Sequence, residues 1–265
     1  MLEYAKDELR LIGRGRRISD RVALSAMSLR LHLAARGLNL PHMDAPRMLQ
    51  LKGDVQLLAR RSDYYALFEV LGLGCYDIDF SPLGTVESCL DVGANIGAAS
   101  LFFAGRFPHA RFVCVEPSPS SYALLETNVR SNIPGGAAIH AAVTVEPTMV
   151  VVEEGEKPVL TRVRESRTVT DAAVRGITVV ELLDEAGLDR VDLMKLDIEG
   201  GERDLLAHAS TWAPRVGALL AEIHPPLTVP DAADQLASVG LKRVPLPAVP
   251  KFADLLLVAR RKRPS

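Results

Sequence analysis

One short stretch limits the folds open to this chain more than any other. Residues 88–91 form a largely apolar strand pattern that ends in Asp91, and Gly93 and Gly97 follow it ahead of a predicted helix. Glycine has no Cβ, so it allows a tight turn and a close approach of the backbone to a ligand. The first N–H groups of the helix have no partners within it and point towards such a ligand. The stretch therefore predicts a nucleotide-type pocket at the end of a first parallel strand.

Acids at two predicted strand ends indicate which nucleotide the pocket holds. Asp91 ends the first strand, and Glu116 follows the second one at residues 111–115. Ala94 and Asn95 stand where a dinucleotide-binding loop carries its second glycine. One acid for an amino-acid moiety and one for a ribose fit S-adenosylmethionine (SAM) better than NAD, and an NAD-dependent oxidoreductase is the alternative. The predicted cofactor-binding residues are Asp91, Gly93, Ala94, Asn95, Gly97 and Glu116.

Strand and helix patterns alternate from Val86 to the end of the chain, which predicts an α/β fold with a mostly parallel sheet. The less regular segment 146–175 contains two apolar runs that predict antiparallel strands or a hairpin insert, at 148–152 and 159–163. Further strands are predicted at 138–143, 191–196, 216–223 and 252–259, and helices at 98–106, 118–130, 178–185, 202–208 and 231–239.

The residues before the core are predicted to form an N-terminal helical extension, 1–82, ahead of a SAM-binding catalytic domain, 83–265. The extension would be a lid, an acceptor-binding piece or a homodimer contact. Helices are predicted at 1–36, which is rich in leucine and arginine, and at 63–71. A basic amphipathic surface can meet a membrane or an acidic partner, but interspersed charges favour a solvated face.

Composition excludes several classes of protein. The chain has 31 Lys and Arg against 33 Asp and Glu, and only 5% of its residues are aromatic, so a nucleic-acid partner is not expected. The three cysteines suggest buried core residues and not a disulfide framework. Charges interrupt the apolar part of the N-terminal segment, so neither a signal peptide nor a membrane span is expected, and cytoplasmic localisation is the default.

A second group of polar residues follows two later strands. Asp197 and Glu199 come after the strand at 191–196, and Glu222 and His224 end the strand at 216–223. Because ligands bind beyond the carboxyl ends of parallel strands, these residues should rim one crevice with Asp91 and Glu116.

This group has alternative roles. A neutral His224 would be the general base for a hydroxyl, or Asp197, Glu222 and His224 would hold Mg²⁺ or Mn²⁺. The simpler explanation for Asp197 and Glu199 is that they cap a helix, and for His224 that it has a structural role. Lys195, inside a strand, is either a partner for one of these acids or a snorkelling side chain.

The motifs together resemble those of the FkbM-type SAM-dependent methyltransferases. The resemblance covers roughly residues 62–259 and rests on four stretches in order: Leu90–Gly97, Val115–Pro117, Lys195–Gly200 and Glu222–His224. It implies a Rossmann-like class I methyltransferase fold, with a seven-stranded sheet whose last strand is antiparallel. It also implies O-methylation, often of sugars or polyketide hydroxyls.

The sequence thus predicts a SAM-dependent O-methyltransferase that acts on a small-molecule or oligosaccharide acceptor. The acceptor would be a carbohydrate or a glycosylated or polyketide natural product. Catalysis is assigned to His224, Asp197 and Glu222. A non-catalytic partner protein that retains the fold is the second alternative, although so many carboxylates in one pocket disfavour it.

Overall fold

Strands and helices alternate along the core of the chain, as the sequence predicts. The computed structural model describes residues 2–34, 36–38, 44–154, 161–165, 173–246 and 254–260. Its strands are β1 (Arg47–Gln50), β2 (Gln56–Ala59), β3 (Ser88–Val92), β4 (Arg111–Glu116), β5 (Ala137–His140), β6 (Ala142–Val143), β7 (Thr148–Glu154), β8 (Thr161–Glu165), β9 (Ala173–Ile177), β10 (Val191–Leu196), β11 (Val216–Glu222), β12 (Lys242–Arg243) and β13 (Leu255–Ala259). Its helices are α1 (Leu2–Ile12), α2 (Ile18–Ala34), α3 (Tyr64–Leu67), α4 (Ala98–Arg106), α5 (Pro119–Asn132), α6 (Val179–Glu185), α7 (Glu202–Ala207), α8 (Ala209–Trp212) and α9 (Val229–Ser238).

Seven strands form the central sheet, in the order β12-β13-β11-β10-β3-β4-β5. The five strands from β11 to β5 in that order run parallel, whereas β13 is antiparallel to both of its neighbours. The predicted α/β, class I methyltransferase fold is therefore confirmed. Parallel strands bring their carboxyl ends to one edge of the sheet, and Asp91, Asp197 and Glu222 all lie at or just beyond that edge.

Apolar side chains alternate between the two faces of this sheet, because successive residues of a strand point to opposite sides. Cys89 and Leu193 join the core that includes Phe103 of α4. Leu90 and Met194 join a separate core on the other face, with the helices from α6 to α9. All of these side chains are buried, so strands covered on both faces hold the carboxyl edge rigidly.

A four-stranded sheet, in the order β6-β9-β7-β8, is attached beside the central one. The predicted hairpin insert is confirmed where it is described, since β7 and β8 pair antiparallel, while residues 159 and 160 of the second run lie outside the described residues. The strand predicted at 138–143 divides at Ala141: β5 stays in the central sheet and β6 pairs with β9. Neither β9 nor β12 is predicted from the sequence, and residues 252 and 253 of the last predicted strand also lie outside the described range.

The N-terminal segment contains the predicted helices and, in addition, a β-hairpin of β1 and β2. Two four-residue strands give a weak sequence pattern, but Gly53 and Asp54 in the turn have the positive φ angles of a hairpin connection. Asn128 of α5 holds this hairpin: its amide accepts from Leu58 N (2.6 Å) and donates to Leu58 O (2.9 Å) and Ile96 O (2.8 Å). The hairpin is thereby tied to the glycine loop. No helix in the described ranges is long and apolar enough to cross a membrane.

Candidate active site

Gly93 holds the glycine loop between two strands. Its φ is +74°, and a Cβ built on it would lie 1.7 Å from the carbonyl oxygen of Asp197. The backbone N–H groups of Gly93 and Ala94 both donate to Val115 O, at 3.1 and 2.9 Å. The loop is therefore fixed against the ends of β4 and β10, and at Gly93 no side chain fits.

Glu116 joins the glycine loop to the end of β4. Its Oε2 accepts from Asn95 N at 2.8 Å, and its Oε1 accepts from Ser118 N at 2.9 Å. Burial raises the pKa of Glu116 to about 7, although these two hydrogen bonds oppose the shift. Each carboxylate oxygen has a second acceptor site, so Glu116 retains the capacity to accept two ribose hydroxyls.

A cleft opens beside this loop at the carboxyl edge of the sheet. It contains about 700 Å³ of empty space, including the part open to solvent, and Gly93, Asn95, Glu116, Asp197 and Glu199 are among the residues that line it. The structure thus brings the predicted cofactor residues of β3 and β4 together with the acids that follow β10.

A buried oxygen at the cleft, Asn95 Oδ1, has no hydrogen-bond partner within the described part of the chain. Asp91 Oδ1 also accepts no hydrogen bond, but it lies 3.4 Å from the ammonium group of Lys195 and forms an ion pair with it. The other oxygen of Asp91 accepts from Ser100 Oγ at 2.6 Å. Unsatisfied buried acceptors are rare, and they suit a ligand that donates hydrogen bonds. Asn95 and Glu116 therefore offer acceptors that fit the hydroxyl groups of the SAM ribose. That Asp91 contacts the amino group stays a prediction, because its side chain is only 2% exposed.

Lys195 lies between Asp91 and Asp197. Its buried Nζ donates to Gly93 O (2.8 Å) and Asp197 Oδ2 (3.2 Å) and lies 3.4 Å from Asp91 Oδ1. Burial alone would lower its pKa, but Asp197 and Asp91 raise it above its usual value. Lys195 is therefore a cation that pairs with these two acids, which confirms the first of its predicted alternatives over snorkelling.

His224 forms an ion pair with Glu202, a residue that the sequence places only in a helix. His224 Nδ1 lies 3.0 Å from Glu202 Oε1, and Glu202 is fully buried. This hydrogen bond raises the pKa of His224 to about 9. The expectation of a neutral imidazole at pH 7 is wrong for this environment, because the carboxylate stabilises the protonated form.

Glu202, and not Asp197 or Glu199, binds the backbone of the turn that precedes α7. Its two carboxylate oxygens accept from the backbone N–H groups of Ile198 and Gly200, each at 2.9 Å. Burial would raise the pKa of Glu202, but the bonds from His224 and from the backbone together lower it. Asp197 and Glu199 are thus left facing the cleft.

The predicted metal ligands are not grouped as expected. Among the described residues, the cluster with ligand atoms within 4.8 Å of one another is Asp197, Glu202 and His224, and it does not include Glu222. The Oε1 atom of Glu222 instead accepts from Tyr76 OH. Lys195 already pairs with Asp197, and His224 with Glu202, so this donor set fits a divalent cation poorly.

The N-terminal segment places two side chains, Glu69 and Tyr76, close to Glu222 at the end of β11. Glu69, in the helical turn after α3, has a pKa raised to about 7 by burial and by Glu222. The pKa of Glu222 is raised to about 6 by burial and by Asp197. Glu69 is not among the candidate residues that the sequence analysis identified. The signal for Glu69 was an acid within the apolar run 67–71 of a helix.

Glu199 is the carboxylate of the cleft with the fewest partners. Its φ of +53° is rare for a non-glycine residue, and its Oε2 lies 3.8 Å from His224 Nε2. Its side chain accepts no hydrogen bond within the described ranges. Burial and Asp197 raise the pKa of Glu199 to about 7. Glu199 is therefore a carboxyl group of the cleft that has a pKa near neutral pH and is not held by hydrogen bonds from the residues described.

The fold and this cleft together define a class I SAM-dependent methyltransferase. The family model described as the methyltransferase FkbM domain matches residues 91–235, which includes the glycine loop, Glu116 and all the acids at the ends of β10 and β11. The chain belongs to the FkbM methyltransferase family. Membership decides against the NAD-dependent oxidoreductase that the sequence left open.

Three similar proteins carry methyltransferase names. Methyltransferase sdnD of Sordaria araneosa is 27% identical over 56% of this chain and 73% of its own length. Methyltransferase 1 of Beauveria bassiana is 25% identical over 50% of this chain and 61% of its own length. Among solved structures, methyltransferase FkbM from Methylobacillus flagellatus superposes with a TM-score of 0.43 and 15% identity, covering 76% of this chain and 55% of that one.

Proposed function

We propose that the chain transfers the methyl group of SAM to a hydroxyl of a carbohydrate or of a glycosylated or polyketide natural product. The observation that supports this most is the free carboxylate of Glu199 in the cleft, beside the protonated His224. A hydroxyl must lose its proton as it becomes an ether oxygen, and a carboxyl group with a pKa near the working pH is suited to accept it.

The cofactor half of the site is assigned to the glycine loop and the end of β4. Asn95 and Glu116 would hold the ribose side, and Asp91 the amino-acid side, with Gly93, Ala94 and Gly97 shaping the loop. When bound, SAM supplies a methyl group made electrophilic by the sulfonium. The chain's own contribution is to hold the reacting groups close and in line.

The acceptor half is assigned to the acids at the ends of β10 and β11. Glu199 takes the proton in this proposal, a role that the sequence gave to His224. Asp197 and Glu222 would accept hydrogen bonds from neighbouring hydroxyls, which suits a polyhydroxylated acceptor. His224 is a positioning residue, because its charge and its bond to Glu202 hold it beside Glu199 and Asp197.

The test is a methyl-transfer assay with labelled SAM and a panel of sugars, glycosides and polyketide alcohols, with amines as the comparison. NMR of the product should place the methyl group on oxygen. The Glu199→Gln variant should lower kcat by about 10² to 10⁴-fold with little change in SAM affinity, because the proton acceptor is lost. Glu126→Gln, on the exposed side of α5, is the matched control and should not change kcat.

Three results would change the assignment. A methyl group on nitrogen would overturn transfer to oxygen, and full activity of Glu199→Gln would remove Glu199 as the proton acceptor. SAM binding without turnover on any acceptor of the panel would favour the non-catalytic partner. Activity that depends on added Mg²⁺ or Mn²⁺ would support the hypothesis that the acids and His224 hold a divalent cation.

A further inference from the structure

A second groove lies away from the cleft, between helix α4 and the β1–β2 hairpin turn. It contains about 970 Å³ of empty space, including the part open to solvent. Its floor is apolar: Leu51, Leu57, Leu71 and Leu101 line it, and each is at most 9% exposed. Gly105 lines it near the end of α4, whereas the glycine loop of the cleft precedes the other end of that helix. The groove contains none of the carboxylates assigned to methyl transfer.

Three cations stand at the rim of this groove. They are Arg14, Lys52 and Arg106. None of their side chains makes a hydrogen bond or an ion pair with the residues that the structure describes. The acid at the rim, Asp77, is paired with Arg10 at 3.5 Å. The groove thus combines an apolar floor with positive charge that has no internal partner.

The acids near the groove also have partners other than the three rim cations. Asp54, in the hairpin turn, pairs with Arg16. The carboxylate of Asp79 accepts hydrogen bonds from the backbone N–H and the hydroxyl of Ser81. These bonds lower the pKa of Asp79, and the charge of Arg106 adds a smaller effect in the same direction. A ligand in the groove would therefore meet the three rim cations without displacing an existing ion pair.

We propose that this groove binds an amphipathic anion, with one apolar chain or ring against the leucine floor and a single carboxylate or phosphate headgroup at the cationic rim. Charge complementarity supports the headgroup, because arginine and lysine are the usual partners of both groups. The recessed floor supports the apolar part, since apolar surface is stabilised by removal from water. The site is additional to methyl transfer and does not depend on which acceptor the cleft takes.

Gly105 offers a variant that closes the groove without disturbing the fold. A Cβ added there meets nothing within 4 Å, and its φ is not in the positive range. Gly105→Phe should place an aromatic ring in the groove and obstruct it, and Gly105→Ala is the control that adds only a Cβ. The triple variant Arg14→Gln, Lys52→Gln, Arg106→Gln removes the charge and keeps the floor.

The experiment is calorimetric titration of the full chain with decanoate and with decyl phosphate, below their micelle concentrations. We expect one binding site for at least one of these anions, affinity at least about tenfold weaker in both the Gly105→Phe and the triple variant, and unchanged affinity in Gly105→Ala. The preferred anion identifies the headgroup. SAM binding should be the same in all variants, which also shows that they are folded.

Several outcomes would overturn the proposal. They are binding of neither anion, equal binding of decyltrimethylammonium, and full affinity in Gly105→Phe or in the triple variant. Binding of acetate or inorganic phosphate with the same affinity as the decyl compounds would also contradict it, since the apolar floor would then contribute nothing.

Discussion

Replacing Gly93 with alanine tests the geometry that joins the two halves of the site. The new Cβ would lie 1.7 Å from Asp197 O and 2.8 Å from the carbonyl carbon. The Asp197–Ile198 peptide cannot move freely, because Ile198 N donates to Glu202 Oε1 at 2.9 Å. A left-handed backbone costs alanine about 1 to 2 kcal/mol, and overpacking adds about 1 to 3 kcal/mol. The expected loss is therefore about 2 to 5 kcal/mol, a large part of the roughly 5 to 15 kcal/mol that stabilises a typical domain.

Urea unfolding measures this loss, and Gly135→Ala is the matched control. Gly135 has a similar φ of +72°, but a Cβ there meets nothing within 4 Å. The control should lose only the backbone part, so the difference between the two variants isolates the contact with Asp197. We also expect Gly93→Ala to bind SAM at least about tenfold more weakly, because Asn95 and Glu116 move with the loop. Equal destabilisation of the two variants would refute the packing argument.

Three further predictions concern the charges and the packing of the site. NMR titration of His224 should give a pKa near 9 that falls towards 6.5 in Glu202→Gln. The pKa of His224 is higher in the folded protein than in the unfolded chain. The stabilisation by this ion pair is therefore complete below about pH 6.5 and is lost as the pH rises through 9. A wild-type pKa below 7 would contradict the ion pair. Dialysis against EDTA should leave turnover unchanged, because Lys195 and His224 already neutralise Asp197 and Glu202; loss of activity that Mg²⁺ restores would show that this conclusion is wrong. Asn128→Ala should lower the free energy of unfolding by about 1 to 3 kcal/mol in urea, because one buried and two partly buried backbone groups lose their partner. The more exposed Asn132→Ala is its control, and an equal loss there would argue against a special role for Asn128.

The parts of the site that the sequence predicted depend on local pattern and sheet topology. The apolar run before Asp91 and the glycines after it specify a strand and a turn within a few residues. Asp197 and Glu222 each stand at the end of such a run, so their meeting at one edge follows from the parallel order of the strands. Lys195 could be assigned two roles from the sequence, and only the distances to Asp91 and Asp197 decide between them.

The parts that the sequence could not predict depend on contacts between distant segments. Glu202 is the first residue of α7, and only the fold brings His224 of the β11 end within 3.0 Å of it. That contact changes the charge of His224 and hence its role. Glu69 is more than a hundred residues from Glu222 in the chain, and its place in the crevice depends on the packing of the N-terminal helices. Strand β6 departs from the central sheet because its partner β9 lies beyond an insert of irregular sequence.

The most direct test of the account is calorimetric titration of S-adenosylhomocysteine into the wild-type chain and into Glu116→Gln, with Glu126→Gln as the control. Replacing the carboxylate removes charge-assisted hydrogen bonds to a ribose, which are worth about 1.5 to 3 kcal/mol, or roughly 10- to 100-fold in affinity. The account predicts one site in the wild-type chain, a loss of that size in Glu116→Gln, and no change in the control. Equal affinity in all three proteins would contradict the placement of the cofactor in this cleft.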